Sequence, residues 1–199
     1  MELITGMKSK RRLLLGATCL FSIFLAACGV KSYDVTTLEF EKTGKITYHI
    51  VEDWDSNLYN FDEFVAYNEK EVNDYNASNQ AVTILSSELL EGKVKVVIQY
   101  TDDDAYYALN KKSLYYGRAD KAKSVGYSLV NLVKATDGGE TLSREQWNEM
   151  TSEQVIVLSE SMNVVAPSKI IYVSSGVELT GDDTATVTVE EGFAYIICK

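Results

Sequence analysis

Two strand-like runs on either side of Glu91-Gly92 constrain this chain more than any other stretch. Val94, Val96, Ile98 and Tyr100 alternate with Lys95, Val97 and Gln99. A period of two puts the first set on one face of a strand. Ala81 to Leu90 supplies a partner strand, and Gly92 supplies the positive φ of a tight turn. An isolated hairpin is at best marginally stable in water, so its apolar face needs a cover. The preceding stretch offers one. From Asn60 to about Asn76, Phe61, Phe64, Val65, Val72 and Tyr75 recur at offsets that share one helical face. Asn60 is placed as N-cap, with Glu63 three residues on in the manner of a capping box. Asn68 falls in the middle of the apolar face and, if buried, needs a hydrogen-bond partner. The face carrying Val94, Val96, Ile98 and Tyr100 is expected to meet this helix.

The remaining elements follow from the same signals. Asp34 to Phe40 and Lys45 to Glu52 read as strands around Gly44. Ala105 to Leu109 reads as a helix behind Asp102-Asp103-Asp104. Leu114-Tyr115-Tyr116-Gly117 reads as an aromatic patch before a short helix, roughly Arg118 to Val125. Tyr127 to Lys134 reads as extended, and Asp137-Gly138-Gly139 as a turn. Ser143 and Gln146 form a capping box for a helix ending near Met150. Strands are expected over 154–159, 163–166, 169–174, 185–190 and 193–198, with the only proline, Pro167, in a turn. The expected class is α+β: antiparallel strands packed against two to four short helices.

The N-terminus has a different character. Lys8, Lys10, Arg11 and Arg12 precede Leu13 to Leu25, a run without any charge, and small residues lead to Cys28. This is the order of an export signal. At about 1.5 Å per helical residue the run is too short for a hydrocarbon core of about 30 Å. Met7 suits the start of such a signal better than Met1. Leu25-Ala26-Ala27-Cys28 resembles the lipobox of bacterial lipoproteins. The resemblance implies cleavage before Cys28 and a diacylglyceryl group on its thiol, bearing palmitate-type chains. Two acyl chains hold a protein stably at a bilayer, whereas one holds it marginally. The expected organisation is a signal peptide over 1–27, a lipidated tether over 28–33 and one α+β extracytoplasmic domain over 34–199. The expected location is the outer face of the cell membrane. Five extended residues, 29–33, reach at most about 18 Å, so the domain rides close to its anchor.

Charge narrows the function classes. The first 27 residues hold four of the 19 Lys and Arg and one of the 29 Asp and Glu, which leaves the following 172 residues with a net charge of −13. Such a chain is repelled by nucleic acid and by anionic headgroups. A nucleic-acid role is excluded on that ground, and cationic or neutral partners are favoured. Cys19 lies in the signal and Cys28 is the lipidation residue. Cys198 is then the one remaining thiol, so no internal disulfide forms, and a packed strand-end residue is expected there. His49 is the only histidine, sits in an alternating strand pattern, and is read as structural. No metal site with two His ligands exists, and no cofactor is implied. There is no phosphate loop, CxxC, HExxH or G-x-S-x-G.

Three stretches invite sharper readings. Asp53, Asp55 and Asn57 match the first positions of a calcium loop, but Leu58 stands where Gly belongs and Phe64 where the closing Glu belongs. The expectation is an acidic loop entering a helix, with no metal. Asp102-Asp103-Asp104 invites a cation site or a carboxylate pair, and the expectation is a capped helix N-terminus. The 13 tyrosines invite a sugar-stacking surface, although tyrosine also packs well in half-buried sheets. A second resemblance, over Ile46 to about Tyr127, is to small uncharacterised lipoproteins of anaerobic Gram-positive bacteria. It is carried by Val51-Glu52, the Tyr59-to-Tyr75 helix, the Val94-to-Tyr100 strand, Tyr106, Tyr107, Asn110 and Gly126-Tyr127, and it implies no activity. The functional expectation is a lipid-anchored, non-catalytic binding module, tied to the membrane through lipid on Cys28, with an envelope protein or glycan as partner. The alternative is a carboxylate-dependent hydrolase of envelope or dietary glycan. No catalytic or ligand-binding residue is assigned.

Overall fold

The computed structural model describes residues 31–135 and 139–199. Cys28 and the rest of the expected signal, and most of the Asp137-Gly138-Gly139 turn, lie outside them.

The hairpin folds as its sequence dictates. Strands β1 (Thr37–Phe40) and β2 (Ile46–Asp53) pair antiparallel, and helix α1 (Phe61–Asn79) leads into β3 (Val82–Leu90) and β4 (Lys93–Tyr100). Glu91 and Gly92 both take positive φ, 51° and 76°, as a two-residue hairpin turn requires. Asn60 caps α1 by accepting from the Glu63 N–H at 3.1 Å. At the far end Gln80 turns left-handed. The Asn76 side chain then accepts from the Ala81 and Val82 N–H groups and donates to the Val82 carbonyl, fixing the helix to the start of β3. Asn68 is buried and donates to the Phe64 carbonyl at 2.9 Å, so its place on the apolar face is satisfied. Phe64 and Val72 join Val94, Val96, Ile98 and Tyr100 in one core, as the patterning requires.

Beyond the hairpin come α2 (Asp103–Asn110), β5 (Leu114–Arg118), α3 (Ala119–Ser124), β6 (Val133–Lys134) and α4 (Arg144–Glu149). The aromatic patch Leu114–Gly117 is thus a strand. Its ladder to β7 (Gln154–Leu158), five pairs long, is what makes it one. Most of 127–134 is irregular, because Asn131 adopts φ 64° and interrupts the extended run. The predicted capping box is present, with Ser143 accepting from the Gln146 N–H and Gln146 accepting from the Ser143 N–H. The last strands are β8 (Met162–Val165), β9 (Ile170–Val173), β10 (Val177–Leu179), β11 (Thr184–Val187) and β12 (Ala194–Cys198). Of these, β10 has three residues and no sequence signal of its own.

The strands form two sheets. One has seven strands in the order β10-β11-β8-β1-β2-β4-β3, and the other five in the order β5-β7-β12-β9-β6. All named pairings are antiparallel except β1 with β8. The α+β class holds, and most of the core is a sheet-on-sheet interface. Leu38, Phe40, Ile46 and Val164 from the first sheet share one cluster with Ile156, Leu158, Ile170 and Ile196 from the second. A smaller cluster on the other face of the five-stranded sheet gathers Leu129, Leu132, Leu142 and Trp147 over Val155, Val157 and Ile197. Both faces of β7 and β12 are therefore covered, which explains their unbroken apolar reading.

Candidate functional site

One end of the seven-stranded sheet is left open. There β2 and β3 finish in register, Asp53 and Leu90 both opposite Lys93, and α1 begins. Trp54 follows β2 directly, and its backbone N–H donates to the Gly92 carbonyl at 2.8 Å, which ties the loop to the hairpin tip. The loop turns tightly, with the Leu58 and Tyr59 N–H groups both donating to the Asp55 carbonyl. It thus delivers Tyr59 and Phe61 to the Trp54 ring, at centroid separations of 5.5 and 6.1 Å, with Phe64 at 5.3 Å beneath.

Nine large apolar side chains are exposed among the described residues, and four of them sit at this end: Leu58 at 65%, Leu90 at 52%, Tyr59 at 41% and Leu89 at 39%. Isolated exposed apolar residues are ordinary, whereas a cluster around half-buried aromatics marks a contact surface. The Trp54 indole N–H is buried and meets no acceptor among the described residues. A buried donor without a partner costs about 1–3 kcal/mol. The rim is acidic: Asp55, Asp62, Glu63, Glu88 and Glu91 are exposed around it. Lys93 is the adjacent cation and is held by Asp53 at 2.8 Å.

This end contains the stretch read as a truncated calcium loop, and its oxygens are divided among separate tasks. Asp53 binds Lys93, the Asp55 carboxylate accepts from the Asn57 backbone and side chain, and Asn60 caps α1. The aspartate triplet is divided in the same way. Asp102 is the N-cap of α2, accepting from the Ala105 N–H at 2.8 Å, and Asp103 accepts from the Tyr116 N–H at 3.0 Å. Burial pushes the Asp103 carboxyl above its ordinary value, with that backbone hydrogen bond opposing. A hydrolase needs such a raised carboxyl as its acid, but this one already joins α2 to β5.

Cys198 is fully buried at the end of β12, its thiol donating to the Gln154 carbonyl at 3.7 Å, and burial pushes its pKa up to about 12. That is a packed structural thiol. Five of the 13 tyrosines, Tyr48, Tyr100, Tyr106, Tyr116 and Tyr172, are buried, and only Tyr59 and Tyr107 are exposed. His49 is buried on the outer face of the seven-stranded sheet. The signal that points to the open end is the aromatic spacing Trp54, Tyr59, Phe61, Phe64, with Leu89-Leu90 at the close of β3 where polar residues would be expected.

No protein-family model matches the chain, and searches of curated proteins and of solved structures find no match.

Proposed function

We propose that this protein is a lipid-anchored extracytoplasmic binding module, and that its contact surface is the Trp54 end of the seven-stranded sheet. The observation that carries this reading is the concentration of exposed Leu58, Tyr59, Leu89 and Leu90 around a Trp whose N–H lacks an acceptor. Interface hot spots are built from such aromatic anchors, and the acidic rim selects the charge of what docks. The partner is a protein segment with an apolar stripe flanked by lysine or arginine. The anchor is supported by Lys8 to Arg12, the charge-free run to Leu25 and the Leu25-Ala26-Ala27-Cys28 lipobox.

Two measurements test the two halves. For the anchor, the protein from a lipoprotein-processing host should lack residues 1–27, carry diacylglyceryl mass and enter the detergent phase, and Cys28→Ala should do none of these. Identical behaviour of the two forms overturns it. For the surface, the full chain is titrated calorimetrically with an amphipathic peptide of leucine and lysine. Saturable, salt-weakened binding is expected, at least about tenfold poorer in Tyr59→Ala/Leu90→Ser. Equal binding by that variant overturns the assignment. Binding of neutral glucan oligomers without any response to the peptide overturns it in favour of a glycan partner.

A further inference from the structure

Residues Lys31 to Tyr33, expected as part of the tether, and Asp34, expected to open the first strand, lie seated on the outer face of the seven-stranded sheet. Lys31 pairs with Glu39 of β1. The Tyr33 ring stands edge-on over His49 of β2, centroids 4.7 Å apart and planes at 75°, and its hydroxyl donates to Glu39 Oε2 at 3.3 Å. Lys95 of β4 donates to the Tyr33 carbonyl at 3.1 Å and pairs with Asp34 at 3.2 Å. Thr36 then clamps Val51 in both directions, donating to its carbonyl and accepting from its N–H.

His49 beneath this segment is 3% exposed, and neither ring nitrogen has a hydrogen-bond partner among the described residues. Its closest carboxylate oxygen, on Glu39, is 3.7 Å from Nε2. A buried imidazole without a hydrogen bond is costly unless the arrangement around it has a further use.

The register gives the segment a direction. Lys95 lies opposite Val51, and Glu39 lies opposite Thr47. From Asp34 back to Lys31 the chain therefore runs from the level of Val51 to the level of Thr47, away from Asp53 and the Trp54 end. The three residue steps of the segment cover at most about 10 Å in that direction. In the sequence Cys28 stands three residues before Lys31, a reach of at most about 10 Å.

We propose that residues 31–34 are a strap docked on the outer sheet face, that it leads the chain away from the Trp54 end toward its lipid anchor, and that charging of His49 releases it. The docking stands on the contacts above, whereas the orientation rests on lipid at Cys28. With the strap seated, the contact surface faces away from the bilayer. Once released, the domain turns freely on its anchor.

Release follows from the groups around the ring. They are Glu39 from β1, Lys31, Tyr33 and Asp34 from the strap, Lys95 from β4, and Asp183 before β11, whose charge reaches Lys31 and Tyr33. Burial holds the His49 pKa below its ordinary 6.5, against the attraction of Glu39. Undocking restores water to the ring and with it the ordinary pKa, so the undocked state binds more protons. Docking is therefore fully stable above about pH 6.5 and weakens as pH falls through 6.5 toward the lower, docked value. A charged His49 also competes with Lys31 for the Glu39 carboxylate.

One histidine gives one signal, so the test is direct. The lipid-processed full chain is placed in nanodiscs, with ¹³C in its histidine and a nitroxide on Ser32→Cys, one per chain by intact mass. Lipid blocks Cys28 and burial protects Cys198. At pH 8 the His49 resonance should be broadened away, and at pH 5 it should return. Without the nitroxide, Tyr33→Ala should raise the titration midpoint toward 6.5, and Tyr33→Phe, which keeps the ring, should leave it unchanged. A sharp His49 signal at pH 8, or a midpoint indifferent to Tyr33→Ala, overturns the strap. Intact mass without diacylglyceryl removes the orientation alone, because the titration midpoints of the unlabelled chain and of Tyr33→Ala still read the docking.

Discussion

Two aromatic groups flank the same sheet and end in opposite states. Tyr48, Tyr100 and Tyr106 meet edge-to-face, with Tyr106 at 5.6 Å from Tyr48 and 5.3 Å from Tyr100. Their polar tips are provided for: the Tyr100 hydroxyl accepts from Asn110, and Tyr106 donates to Glu160 at 3.0 Å. Helix α2 closes over them, and burial drives all three phenols above their ordinary pKa. Trp54, Tyr59 and Phe61 have similar ring geometry and no such closure. The indole N–H is left without an acceptor, and Tyr59 faces water. Ring chemistry alone does not separate a core from a contact surface. The separation comes from whether the surrounding chain supplies partners for the polar tips.

The comparison breaks most visibly at Tyr106. Tyr106→Ala opens a cavity in the closed group and should cost about 3–5 kcal/mol in urea unfolding. A loss no larger than that of Tyr59→Ala would erase the distinction. Next, Tyr100→Phe keeps the ring but removes the acceptor that Asn110 uses, and should cost about 1–2 kcal/mol. Asp102→Ala loosens the first turn of the closing helix and should cost about 1 kcal/mol, whereas Asp104→Ala, which lacks a capping role, should stay within about 0.5 kcal/mol. Thermal melts of the two variants side by side check this. Smallest of all, Tyr59→Ala should change unfolding by less than about 0.5 kcal/mol while abolishing most peptide binding in calorimetry. Stability and affinity should thus separate at the open group and not at the closed one.

Features carried by neighbours in sequence were legible. The Asn60 cap, the Ser143–Gln146 box, the Glu91-Gly92 turn and the face running Phe64, Asn68, Val72 are local, and each stands in the structure. Features set by distant pairing were not. Leu114–Arg118 is a strand because β7 lies beside it, and Val177–Leu179 because β11 does. The extended reading of 127–134 failed at Asn131, whose left-handed backbone has no fixed sequence signature. At the Trp54 end the acids dominate the sequence and Phe61 and Phe64 fall in with the helix pattern, which leaves Trp54 and Tyr59 without a signal of their own. The strap was invisible, because Tyr33 and His49 lie sixteen residues apart and meet only once β1 folds back along β2.

The place of β12 has a temporal consequence. It lies in the middle of the five-stranded sheet, between β7 and β9, although it is formed by Ala194–Cys198. A ribosome delivers that segment after the other eleven strands. Until then β7 and β9 have no common neighbour, and the sheet-on-sheet core lacks its central slab, Ala194, Ile196 and Cys198. Non-local pairing of this kind is slow and comes late. The five-stranded sheet therefore stays open while the other strands emerge, and closes only when β12 arrives.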